Sequence, residues 1–133
     1  ICKRMANELL QHYETNVLKW TFTADAVTRP TTWYLGLFTA NPDEDGSGAT
    51  EISGNGYARK SVAFTVSGSL ATNSGAVEFD VATGSWGTIS HVAVFDASSG
   101  GNQIAYSALA ASKTITTDDV LRFPAGDVDI TLD

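Results

Sequence analysis

The chain has 133 residues, a mass of 14.0 kDa and 43% hydrophobic residues, enough for one folded domain with its own core. Eight Lys and Arg residues against fifteen Asp and Glu residues give a net charge of −7 at pH 7. Because the few basic residues are dispersed, this balance argues against a nucleic-acid partner and against binding to an anionic membrane surface. No apolar stretch approaches the roughly 20 residues of a transmembrane helix, so no membrane partner is expected.

The first four residues are interpreted as an upstream or cloning-derived extension. They precede Met5, the only methionine, so residues 5–133 are expected to form the single domain. The sequence does not open with a charged and then apolar leader, so no secretion signal is expected. Cys2 is the only cysteine, which excludes an internal disulfide and a thiolate metal site.

One helix is predicted near the start of the domain, over about residues 6–20. Apolar side chains recur there at the three- and four-residue spacing that forms a single stripe on a helix. The members of this stripe are Leu9, Leu10, Tyr13, Val17 and Trp20. We expect Trp20 to belong to the core.

From about residue 32 onward, the apolar pattern changes to the period of two that is typical of strands. Short apolar runs are separated by Gly, Asn, Asp and Ser turns, and no helical pattern interrupts them. The predicted strands lie near residues 32–38, 62–66, 77–81, 89–95, 104–109, 120–123 and 128–132. We therefore predict a mainly β fold: an antiparallel, jelly-roll-like β-sandwich of seven or eight strands over about 32–133, with one N-terminal α-helix.

The polar loop at residues 41–56 is longer than most connections and is the candidate metal site. It places oxygen-bearing side chains at the first, third and fifth positions of an EF-hand register, with glycine at the sixth. The bidentate glutamate that this register requires is replaced by Ile52, and the nearest acidic residue falls one position short. A Ca²⁺ site and a solvated acidic loop therefore both remain open, and no other cofactor is expected. The candidate ligands are Asn41, Asp43, Asp45 and Glu51.

The sequence does not predict an enzyme. Nucleophilic hydrolysis needs an activated nucleophile, a base and an orienting acid, and no Gly-x-Ser-x-Gly elbow is present. His12 is interpreted as a surface or packing residue, His91 as a structural histidine, and Asp96 as a turn residue that accepts hydrogen bonds from backbone amides. Arg59 is expected to pair with a carboxylate of the acidic loop.

Two aromatic residues are candidates for contact with a glycan, because aromatic faces stack on the apolar surfaces of sugar rings. Trp86 lies among small residues that could leave it exposed, and Tyr106 lies on a predicted strand. The alternative for Trp86 is that it covers the end of the sandwich core.

Several segments together resemble the small virion proteins of tailed bacteriophages that are labelled tail-fibre-like. The resemblance covers almost the whole chain from Met5 onward, and the combination is more specific than any single piece. The matching segments are Trp33-Tyr34-Leu35-Gly36-Leu37-Phe38-Thr39-Ala40 with Asn41-Pro42, Gly56-Tyr57-Ala58-Arg59, Trp86-Gly87-Thr88-Ile89-Ser90-His91-Val92-Ala93-Val94-Phe95-Asp96-Ala97, and Asp119-Val120-Leu121-Arg122-Phe123-Pro124-Ala125-Gly126-Asp127.

The resemblance implies a β-sandwich component of the virion, on the tail or as a capsid decoration, assembled in the cytoplasm of the bacterial host. It implies other virion proteins as partners and carries no catalytic or ligand residues with it. By analogy with phage fibres, a symmetric homo-oligomer is expected. The leading hypothesis is therefore a non-enzymatic structural protein that acts through protein–protein contacts. The alternative is a carbohydrate-binding module for host-surface glycans.

Overall fold

The computed structural model describes residues 9–43, 45 and 47–131, and in these residues one helix and nine strands. The predicted extension at residues 1–4 lies outside the described residues. The elements are α1 (Gln11–Phe22), β1 (Tyr34–Phe38), β2 (Lys60–Ser61), β3 (Phe64–Ser67), β4 (Leu70–Asn73), β5 (Val77–Glu78), β6 (Gly87–Phe95), β7 (Gln103–Ile115), β8 (Arg122–Phe123) and β9 (Asp129–Thr131).

The strands form three antiparallel sheets. A four-stranded sheet has the order β2-β1-β6-β7, a three-stranded sheet has the order β3-β4-β9, and β5 pairs with β8. One hydrophobic cluster joins the four-stranded sheet to the two smaller sheets, which gives a sandwich-like arrangement with the core between the layers. The mainly β, antiparallel fold with a single helix is thereby confirmed. The largest buried side chains of this core include Leu35, Leu37, Val92, Val94, Phe79 and Val128.

Two strands of the structure were not predicted. Strand β2 is only two residues long and is too short to show a period in sequence. Strand β4 was not predicted because Leu-Ala-Thr-Asn contains one large apolar residue. Strands β5 and β8 lie within the strands predicted near 77–81 and 120–123, but each is only two residues long. On β3, Val66 is 74% exposed although it alternates with Phe64, which packs against the core.

The helix begins later than predicted. Leu9 forms an antiparallel bridge with Ala105, and the Leu10 backbone N–H donates to the Ile104 carbonyl at 2.9 Å. These contacts hold residues 9 and 10 extended against β7, so α1 begins at Gln11 and runs to Phe22; residues 6–8 of the predicted helix lie outside the described residues. In the described part of the chain, no helix has the length and apolar character needed to cross a membrane.

The prediction that Trp20 belongs to the core is wrong. Leu10 and Tyr13 are buried, but Val17 and Trp20 are exposed. The reason is that α1 contacts the sandwich through Leu10 and Tyr13 at its start, and its later turns are not covered. Trp20 is therefore a surface residue.

A largely buried ion pair connects the acidic loop to the four-stranded sheet. The Arg59 guanidinium donates to both carboxylate oxygens of Glu51, through Nε at 3.1 and 2.9 Å and through Nη2 at 2.7 Å. Its Nη1 donates to the carbonyls of Ala97 and Gly100, each at 2.8 Å, and its Cζ lies 3.5 Å from the centre of the Phe95 ring. Arg59 thus ties the loop, the end of β6 and the 96–102 turn together. The predicted pairing of Arg59 with a carboxylate of the acidic loop is present.

The same carboxylate is held from the other side by Tyr57. The Tyr57 hydroxyl donates to Glu51 Oε2 and accepts the Leu37 backbone N–H at 3.0 Å. Burial, followed by the neighbouring Glu51, raises the pKa of Tyr57 well above its ordinary range, so the hydroxyl remains a donor. Gly36 makes this packing possible, because a Cβ at that position would lie 2.6 Å from the Phe95 ring and 2.7 Å from Glu51 Oε2.

Replacing Arg59 by alanine should destabilise the fold strongly. The Glu51 carboxylate would remain among buried groups without its cation, which typically costs about 3–5 kcal/mol. The neighbouring variant Lys60→Ala is the matched control, because Lys60 pairs with Asp80 at 2.7 Å on the exposed surface, where a pair contributes about 0–1 kcal/mol. Urea unfolding measures both, and equal losses of stability would contradict this account of Arg59.

Candidate interaction surface

Helix α1 is anchored to the sandwich by a hydrogen-bond network at its first turn. The Tyr13 hydroxyl donates to Asp96 Oδ2 at 2.7 Å, across the 96–102 turn. Asp96 Oδ1 accepts the Asn102 backbone N–H at 2.7 Å, and the Asn102 side-chain amide donates to Oδ2 at 3.1 Å. The carboxylate therefore closes the turn and positions the helix at the same time.

These contacts shift the titration of both groups. Partial burial alone would raise the pKa of Asp96, but hydrogen bonds from the Asn102 backbone, the Tyr13 hydroxyl and the Asn102 amide outweigh it and lower the pKa. Burial and the neighbouring Asp96 raise the pKa of Tyr13 well above its ordinary range. Asp96 therefore has the predicted turn role, and it has a second role in holding α1 that was not predicted.

The C-terminal half of α1 is an exposed apolar segment. Val17, Leu18, Trp20 and Phe22 are 41%, 59%, 76% and 78% exposed, and Tyr13 is the buried residue of the helix. The last turn is held by Thr21 and Thr23, whose hydroxyls donate to the carbonyls of residues 17 and 19 at 2.8 and 2.7 Å. We call residues Val17–Phe22 the apolar end of α1. Exposed apolar groups of this size on one short segment mark an interaction site.

Two grooves border the exposed apolar side chains of the helix. One, of about 390 Å³, lies between α1 and the following segment, where Val17 and Trp20 face Val27 and Pro30. The other, of about 830 Å³, lies between α1 and the acidic loop and is mainly polar. Its lining residues are Gln11, Glu14, Thr15, Leu18, Asp43, Asp45, Ser47 and Tyr106.

The two candidate glycan residues lie in different surroundings. Trp86 is 5% exposed, and its indole N–H donates to the Asn55 carbonyl at 2.9 Å. Its ring packs edge-on against Tyr57 and Phe79, with ring centres 5.5 and 6.5 Å apart. The ring is therefore enclosed by the core and cannot stack on a sugar, as the alternative interpretation expected. Tyr106 is half-buried on β7 and lines the groove beside the acidic loop.

The four candidate calcium ligands are not brought together. Glu51 is engaged by Arg59 and Tyr57, whereas Asn41 Oδ1 accepts the Asp43 backbone N–H at 2.8 Å. Asp45 accepts hydrogen bonds from the Ser47 hydroxyl and backbone N–H, which lower the pKa of its carboxyl. Within the described ranges, no three His, Cys, Asp or Glu side chains are grouped closely enough to hold a metal ion.

The two histidines lie on different elements. His12 is exposed on α1, with Nε2 3.3 Å from the Asn16 amide. His91 is half-buried on β6, with Nδ1 2.8 Å from the Ser90 hydroxyl, and burial lowers the pKa of its ring. The Asp96 carboxylate accepts hydrogen bonds from Tyr13 and Asn102.

Sequence reasoning missed Leu18 and Phe22 as members of the exposed segment. The signal was present, because Val-Leu-Lys-Trp-Thr-Phe places apolar residues all around the helix instead of on one stripe. When a helix attached to a small β domain is apolar on several sides, we expect part of it to lie outside the core of that domain.

Comparison with protein families finds a match over most of the chain. The family described as "Podophage GP4 fiber I protein gp80" matches residues 8–131, which include all the strands and the helix. A comparison with curated proteins finds no match.

The anchor at Asp96 should be sensitive to acid. A carboxyl whose folded pKa is depressed stabilises the fold above its unfolded pKa of about 4, and this contribution is lost as pH falls through the lower folded pKa. Tyr13→Phe removes one donor and should move the Asp96 pKa upward in an NMR titration. Asp119 is the internal control, because Thr116 lowers the pKa of its carboxyl independently of α1. An unchanged Asp96 titration would contradict the role assigned to Tyr13.

Proposed function

Because the chain belongs to the podophage GP4 fiber I protein gp80 family, we propose that it is a non-enzymatic structural component of the phage fibre. It acts through protein–protein contacts with other virion proteins. The observation that carries this proposal is the apolar end of α1, where four large apolar side chains are exposed to solvent beside a well-packed core. A sandwich held by a buried ion pair supplies a rigid body that presents this segment.

The proposal includes a symmetric homo-oligomer, the usual arrangement of identical chains in an assembly. It also places the chain on the fibre rather than on the capsid, in keeping with the family description. Light scattering after size-exclusion chromatography gives the mass of the purified chain and so tests the oligomer independently of its location.

Immunogold labelling of intact phage particles tests the location. Antibodies against the chain should label the fibres of particles whose genome encodes it. Mass spectrometry of purified particles should detect the chain at a constant copy number relative to the major capsid protein. Particles that lack the chain would refute the structural role, and labelling confined to the capsid would refute the fibre assignment.

We propose glycan binding as a second candidate function, at the groove between α1 and the acidic loop. The supporting observation is that Tyr106 lines this groove together with Asp43, Asp45 and Ser47, a mixture of aromatic and oxygen-bearing side chains that suits a sugar. Trp86 is not part of it.

Titration of the chain with purified host surface polysaccharide tests this second function. Binding should be observed and should weaken at least tenfold in Tyr106→Ala, because stacking on an aromatic ring would be lost. Tyr34→Ala serves as a control, because Tyr34 lies on β1 and does not line this groove. Absence of binding by the unmodified chain would remove this candidate.

A further inference from the structure

The apolar end of α1 exposes large side chains on two opposite sides. Val17 and Trp20 lie on one side, and Leu18 and Phe22 lie on the other. At 3.6 residues per turn, the mean directions of these two pairs differ by about 150°. An ordinary surface helix has one apolar stripe, whereas a helix that is apolar all round is normally enclosed.

The sandwich does not enclose this segment. Val27 and Pro30 lie beside Trp20, yet its ring remains 76% exposed. On the opposite side, Leu18 borders the wide groove next to the acidic loop, and Phe22 is 78% exposed. Both apolar sides are therefore available to a partner at once.

Exposed area argues against pairing of the helix with a second copy. The four side chains together expose roughly 500 Å², of which one side supplies about half. Two helices that meet through one side each would bury only about 500 Å² in total, below the roughly 1,000 Å² expected of a specific interface. A two-walled groove on a partner would bury both sides of the helix and an equal area of the partner's surface. The total then reaches the roughly 1,000 Å² of a specific interface.

Symmetry leads to the same conclusion. In a closed ring of three or four parallel helices, each helix meets its two neighbours in directions about 60° or 90° apart. The two sides of α1 are much farther apart than that. A groove formed by a different protein fits the observed directions better than a small bundle of identical helices.

The charged residues beside α1 indicate which charges the groove of a partner protein would carry. Two exposed carboxylates, from Asp43 and Asp45, line the groove on the Leu18 side. The Trp20 side is flanked by Val27, Pro30 and the cation of Arg29. Complementarity therefore requires basic side chains on the partner wall that faces Leu18.

We propose that the apolar end of α1 is a plug that inserts into a two-walled apolar groove of a different virion protein. The wall that faces Leu18 carries basic residues. This inference rests on the proposed fibre role, because it names the kind of partner that the exposed helix would contact.

Incorporation into phage particles tests the plug with one variant for each side. Trp20→Ala and Phe22→Ala should each lower the copy number per particle at least tenfold, measured by mass spectrometry against the major capsid protein. Val66→Thr is the matched control, since Val66 is also exposed but lies on β3, and it should be incorporated normally. Asp43→Asn, which suits the left-handed backbone at residue 43 (φ 63°), should reduce incorporation by a smaller factor.

The outcomes separate this inference from the proposed function. Absence of the unmodified chain from particles would refute the fibre role itself. Normal incorporation of both helix variants would overturn only the plug, and normal incorporation of Asp43→Asn would overturn only the basic wall. If Trp20→Ala or Phe22→Ala lowers the mass of the purified chain in solution, the helix contacts a second copy and the plug is wrong. Urea unfolding should show unchanged stability for both variants, because these side chains are exposed.

Discussion

The ion pair between Arg59 and Glu51 is the interaction on which the rest of the structure depends. Arg59 is 8% and Glu51 19% exposed, so each charge needs the other to offset its lost hydration. Through the Ala97 carbonyl, the same guanidinium holds the 96–102 turn. That turn contains Asp96, which accepts the hydrogen bond from Tyr13 of α1. A single buried cation therefore connects the acidic loop, the four-stranded sheet and the base of the helix that presents the apolar end.

Much of the fold could be predicted from sequence, because its longer strands have strong apolar patterns. The segments around residues 34–38 and 87–95 are apolar on both faces and are the central strands of the larger sheet. The two-residue strand β2 could not be predicted, since its existence depends on pairing with β1, far away in the chain, rather than on local periodicity. The start of α1 could not be predicted from the local sequence pattern either, because a tertiary bridge between Leu9 and Ala105 competes with helix formation.

The candidate site was less predictable than the fold. The acidic residues of the 41–56 loop led to the hypothesis of a metal site. In the structure, Glu51 is the counter-ion of Arg59. Trp20 was expected in the core, and the sequence left Trp86 open between an exposed and a core position, because a sequence pattern shows which residues share a face but not where the neighbouring layer ends. Only the three-dimensional packing shows that the sandwich stops short of Trp20.

Hydrogen exchange followed by mass spectrometry tests most directly whether α1 is the element that the assembled virion covers. The backbone amides of α1 should exchange quickly in the free chain and become strongly protected in purified particles. Those of the central strands β1 and β6 should be protected equally in both states, since the buried ion pair and the core hold them without a partner. Equal exchange of α1 in the free chain and in particles would contradict the account.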